Sequence, residues 1–269
     1  MTNQGNSLPE RITPDAILEA LVEFRIEHTE MPELVVGRLL DIELWREYAQ
    51  ARLPTADIPQ PIREMDPNLR YAPTFELRKV DGTRVAKIGG HVVSYHIAGA
   101  YPGWAQFRAE LEVALGEIMS KLKSPQFSRI GFRYLNILRP EKHHIKGLSD
   151  TNIILKRGDE VLTESVNVNY THGFGETHIV TVKIATPDLV GGTVPPGFSL
   201  LCDIDVGTKP GRIMSGRNET MTWIEKAHDL EKAEFFAILP AEVTQKLNAG
   251  QGGNSNAWYS YRGSYPKLW

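Results

Sequence analysis

The clearest pattern near the start of the chain is alternation. Leu18, Ala20, Val22, Phe24 and Ile26 are apolar, and Glu19, Glu23, Arg25 and Glu27 between them are charged, with Leu21 the one exception. Side chains of a strand point to opposite faces in turn, so this period of two predicts a half-buried strand. From Pro32 the rhythm changes. Leu34, Val35, Leu39, Ile42 and Leu44 or Trp45 recur mostly every three to four residues, which predicts an amphipathic helix over residues 33–51. Pro54, Pro59, Pro61, Pro67 and Pro73 follow and predict an extended connection over 53–73, because proline neither donates to a ladder nor continues a helix. Segments 74–80 and 83–88 flank Asp81-Gly82, a two-residue hairpin signal, and Gly89-Gly90 sets off a third strand over 91–98. Trp104, Phe107, Leu111, Ala114, Ile118 and Leu122 then form one helical stripe, ended by Pro125, and a strand over 130–138 is closed by Pro140.

The second half repeats this grammar. Strands are predicted over 151–155 and 161–170 around Arg157-Gly158-Asp159, over 178–185 with Val180, Val182 and Ile184 on one face, and over 199–206 after a Gly- and Pro-bearing loop. A polar loop leads into a long helix over 219–239, stopped by Pro240, and a short one over 241–247. The segment HVVSYHIAG before Trp104 parallels SLLCDIDVG before Trp223. The expected fold is α+β, mainly antiparallel, with two long amphipathic helices and an internal duplication of a strands-then-helix unit. The expected division is an N-terminal half (1–140), a C-terminal half (141–248), and a linker with an aromatic tail (249–269). The tail begins Gly/Asn/Ser-rich and ends in Trp258, Tyr259, Tyr261, Tyr265 and Trp269, interleaved with Arg262 and Lys267. Such a cluster buries against its own domain, docks on a partner or stacks on bases; its short length and weak charge put nucleic acid last.

Composition adds exclusions. The 269 residues are 41% hydrophobic and 23% charged with a net charge of −3, an ordinary globular balance that argues against a dedicated nucleic-acid binder. The single cysteine, Cys202, rules out an intramolecular disulfide and suits a reducing compartment. No apolar run approaches the ~20 residues of a membrane span and the polar first residues do not resemble a signal peptide, so the expectation is a cytoplasmic protein without membrane contact.

Candidate chemistry is sparse. Asp203 and Asp205, two apart on a strand, share a face and could hold a divalent cation or divide acid and base roles, with His228 or Asp229 as a third group. The blander reading, a solvated outer face, is favoured. Arg133 projects from a strand and either clamps a phosphate or carboxylate or pairs with a neighbouring acid, the second being favoured. The histidines lack zinc-ligand spacing, and neither GxSxG nor a Walker loop is present. Cys202 reads as a core residue. No metal and no cofactor are expected.

Several segments together resemble a sporadically distributed prokaryotic family of uncharacterised function: AILEALVEFRI, YPGWAQF entering a helix, RIGFRYLNIL, and LLCDIDV followed by EKAHDLEKAEFFAIL, spanning about residues 16–247. The resemblance implies a prokaryotic source, an accessory or defence-type setting and the α+β fold, and it implies no mechanism. The expectation is therefore a non-enzymatic binding or assembly protein that recognises a protein partner. The alternative is a sensor or enzyme acting on a nucleotide-like or phosphorylated small molecule, a small anion gripped by Arg133. The oligomeric state stays open, a homo-oligomer included.

Overall fold

The computed structural model describes residues 8–9, 11–123, 125–191 and 194–249. Its strands are β1 (Ile17–Glu27), β2 (Ala49–Arg52), β3 (Phe75–Arg78), β4 (Arg84–Ile88), β5 (Val92–Ile97), β6 (Gln126–Leu138), β7 (Leu155–Arg157), β8 (Glu160–Leu162), β9 (Asn167–Phe174), β10 (His178–Ala185) and β11 (Leu200–Thr208). Nine of them form one antiparallel sheet in the order β2-β3-β4-β5-β1-β6-β11-β10-β9, and β7 and β8 pair separately. The helices are α1 (Pro32–Leu40), α2 (Gln60–Met65), α3 (Pro67–Arg70), α4 (Trp104–Lys121), α5 (Pro140–His143), α6 (Arg217–Ile238) and α7 (Ala241–Ala249). Among the described residues no helix is long and apolar enough to cross a membrane.

The alternation in β1 sets the centre of the sheet. Ala20, Val22, Phe24 and Ile26 are all buried, and β1 pairs with β5 on one side and β6 on the other. The same face continues through Tyr95, Phe132, Tyr134, Ile204 and Val182. Phe107, Leu111, Leu115 and Ile118 of α4, with Trp223, Ile224 and Ala227 of α6, cover it in the same core. Each fully buried Val, Leu, Ile or Phe among them contributes about 1.5–3 kcal/mol, so this layer dominates the stability. Polar contacts fix the helices on it. Arg84 of β4 donates twice to Glu110 of α4, at 2.6 and 2.8 Å, and the Tyr95 hydroxyl donates to the same carboxylate at 3.0 Å. Arg108 of α4 donates to Glu225 of α6 at 2.7 Å.

Four expected elements come out differently. The helix over 33–51 ends at Leu40, because Ile42 turns extended and the buried Trp45 indole donates to the Leu39 carbonyl at 2.7 Å. Residues 49–52 then pair with β3 as an edge strand. The stretch over 53–73 is not simply extended: a 3-10 turn at Pro54–Asp57 and helices α2 and α3 each carry proline in the first turn. Proline's fixed φ suits that position, and its missing N–H lacks an intrahelical partner there anyway. Residues 151–154 are not a strand, and the strand expected over 161–170 is split, its first part pairing in β7–β8 and the rest forming β9.

Candidate functional site

The second face of the sheet is polar at its centre. Side chains that alternate away from the helices are Glu19, Leu21, Glu23 and Arg25 on β1, Ser94 and His96 on β5, Arg129, Gly131 and Arg133 on β6, and Asp203, Asp205 and Gly207 on β11. The antiparallel register brings them together: Leu21 lies opposite Arg133 and Arg133 opposite Asp205, while Glu23, Gly131 and Gly207 form the adjacent row. Arg133 reaches diagonally and donates through Nε and Nη2 to the two oxygens of Asp203, at 2.6 and 2.5 Å. This is a two-pronged guanidinium–carboxylate pair, with the arginine side chain 17% and the aspartate 12% exposed.

Arg129 uses the glycine row. A Cβ on Gly131 would come within 2.6 Å of Arg129 Nη1, and one on Gly207 within 3.3 Å of Nη2. The guanidinium thus lies flat where two neighbouring strands lack side chains. From there it donates to Asp205 at 2.6 Å and to Glu23 at 3.4 Å. Burial pushes the Asp205 carboxyl up, and the charges of Arg129 and Arg133 pull it only part of the way back. Glu19 sits 2.7 Å from His96 Nδ1, and His96 Nε2 is 2.8 Å from Ser94 Oγ. Burial opposes ionisation of Glu19, but the hydrogen bond and charge of His96, together with the charges of Lys87 and Arg133, outweigh it and hold the carboxyl below its ordinary range.

Both ends of this polar strip are bounded. At one end Tyr71 and Arg70 donate to Glu27 at 2.8 and 3.2 Å, and the Arg25 guanidinium lies 4.8 Å over the Tyr71 ring. At the other end Leu135, Ile137 and Leu201 pack under Val190, Val194 and Phe198.

The structure therefore joins Arg133, Asp203 and Asp205 on one face and adds Arg129, Glu23, Glu19 and His96 to them. His228 does not join. It lies on the helix-covered side, stacked 4.0 Å from Trp104, where burial lowers its pKa to about 4. Among the described residues no group of three or more His, Cys, Asp or Glu side chains is placed to hold a metal ion. Cys202 faces the core, and burial pushes its thiol up to about 12. The aromatic residues Trp258, Tyr259, Tyr261, Tyr265 and Trp269 lie outside the described residues.

One buried group escaped the sequence reading. Glu231 of α6 is 3% exposed, and burial pushes its carboxyl up to about 8, with Asn136 of β6 opposing the shift. Its Oε1 and Asn136 Nδ2 have no hydrogen-bond partner among the described residues, and the Tyr101 and Tyr134 hydroxyls, both of which feel the charge of Glu231, meet at 2.6 Å. The signal was present: Ile224, Ala227, Glu231, Phe235 and Ile238 share helical spacing, so a carboxylate interrupts the apolar stripe. Set against known proteins, the chain matches no family model and no curated sequence.

Proposed function

We propose that this protein is a non-enzymatic binding or assembly protein that recognises a protein partner through the polar face of its sheet, within a prokaryotic accessory or defence-type locus. The observation that carries this is the strip of charges at fixed strand register: Arg129 and Arg133 are already held by Asp205 and Asp203, and the strip is bounded at both ends. Charges held in place by neighbours provide complementarity to a matching surface and select partners by sign and register more than by raw affinity. The resemblance of the strand and helix motifs supports the setting. Two successions of three antiparallel strands followed by a long helix, β3-β4-β5-α4 and β9-β10-β11-α6, support a duplicated unit as the origin of the surface.

The alternative, a sensor of a nucleotide-like or phosphorylated small molecule, draws on the same arginines, whose planar forks match phosphate. One experiment separates the two. Wild-type protein and an Arg133→Met/Asp203→Leu double variant are used side by side as bait, at low and high salt. The expected result is a salt-sensitive partner captured by the wild type and lost by a folded double variant. The same partners at the same salt with both baits overturn the proposal. A thermal shift with nucleotides, abolished in the double variant, moves the assignment to the alternative. Deleting 251–269 reports the tail's share of capture.

A further inference from the structure

At the β2 edge of the sheet, away from the polar strip, α1 and β3 enclose a groove of about 330 Å³, at the small end of the ~300–1,000 Å³ range of ligand cavities. Val36, Leu40, Ala56 and Phe75 line it, and Val36, Leu40 and Phe75 are only partly buried against the main core. Two features mark it as more than a packing gap. The first is Gly37, in the interior of α1. Glycine there costs about 0.8–1 kcal/mol relative to alanine, yet among the described residues no heavy atom beyond its chain neighbours and its own helix backbone lies within 4 Å of where its Cβ would stand. Packing does not require a glycine; what its missing side chain leaves open is the groove, which Gly37 lines.

The second feature is Arg63 of α2, which also lines the groove. Its guanidinium makes no ion pair and no hydrogen bond among the described residues, so the positive charge it brings to the lining has no protein partner there. The other two charged residues of the lining make no such demand. Arg52 is held by Asp57 at 3.0 Å and donates to the Ala56 carbonyl. Glu33 is exposed in the first turn of α1, where water and the helix N-terminus accommodate a negative charge.

We infer that the groove binds a small amphipathic carboxylate, its apolar chain or ring between α1 and β3 and its carboxylate accepting from Arg63. This site is independent of the proposed partner surface. Octanoate is the probe, with octanol as its uncharged counterpart, titrated against the full chain by calorimetry and by amide NMR shifts. Saturable octanoate binding is expected, with shifts centred on Val36, Gly37, Arg63 and Phe75. Octanol should bind at least about tenfold more weakly, from the loss of a charge-assisted hydrogen bond. Gly37→Leu, which fills the space without a clash, should abolish binding while leaving the circular dichroism unchanged. Arg63→Met should weaken octanoate about tenfold or more and leave octanol unaffected. An absence of saturable binding to the wild type, shifts centred elsewhere, or equal binding by Gly37→Leu overturns the inference.

Discussion

Arg133 and Asp203 show how a half-buried pair constrains a sequence. Each leaves most of its surface out of water, so removing one partner strands the other. Arg133→Ala is expected to destabilise the fold by about 3 kcal/mol, whereas Arg133→Met with Asp203→Leu, which replaces both charges by apolar bulk, should stay within about 1 kcal/mol of wild type. Urea denaturation of the two variants measures this; a double variant as unstable as the single one would show that the pair does more than satisfy itself. Glu231 poses the opposite case, a carboxyl on which burial dominates, offset only in part by the charge of Lys232. Its folded pKa of about 8 lies above the ordinary 4.5, so between these values the folded chain holds more protons than the unfolded chain. Its contribution therefore lowers stability as pH rises from about 4.5 to 8 and is flat beyond. Glu231→Gln should match wild type near pH 4 and exceed it by a few kcal/mol near pH 8.5. His143 and His228, held to about 4 by burial, act in the other direction: the unfolded chain takes up their protons first, so stability falls as pH drops from about 6.5 to 4. Thermal melts across pH 4–9 for wild type and variant test both limbs, and a pH-independent gap between the two proteins rejects the assignment to Glu231.

Among the elements, those that bury one continuous face are the ones the sequence makes legible. β1, β10, α4 and α6 each carry a readable apolar period, broken in α6 by Glu231, and each forms close to its expected bounds. β2 has four exposed residues and exists because β3 offers it a ladder; α2 has no buried residue and α3 none. Elements held by backbone pairing or by a proline in the first turn leave no apolar period to read. The polar strip was legible to the same degree. Asp203 and Asp205 share a face by local spacing alone, but Arg129 reaches them only through the β6–β11 register, which no local pattern contains. The two glycines opposite each other in that register make a specific prediction. Gly131→Ala places a methyl group 2.6 Å from Arg129 Nη1, so the guanidinium must lift and loosen its grip on Asp205, at a cost of about 1 kcal/mol. In an Arg129→Ala background the same substitution should be neutral or stabilising, since alanine loses less conformational freedom than glycine in a strand. A double-mutant cycle gives the coupling directly; additivity of the two changes rejects the glycine row as the seat of Arg129.

At the scale of the molecule, the sheet does not pause where the two halves of the sequence meet. β6 pairs with β1 on one edge and with β11 on the other, and a single hydrophobic cluster takes residues from α4 and α6 alike. A chain that stops at residue 140 keeps β1 to β6 but loses both the partner of β6 and the helix over it. That leaves a long strand with an unpaired edge, which is a template for pairing with other copies, and it uncovers Phe132 and Tyr134, which α6 and its His228 shield in the whole chain. The fragment 1–140 is therefore expected to aggregate or to lack fixed tertiary packing, while the whole chain unfolds in one step, with tryptophan fluorescence and far-ultraviolet circular dichroism tracing the same urea transition. Hydrogen exchange should rank the strands accordingly, with the β1–β6 pair slowest and the edge strands β2 and β9 fastest. A monomeric fragment with a dispersed amide spectrum, or two separate transitions in the whole chain, would mean that the halves are autonomous and that the shared sheet joins them only after each has folded.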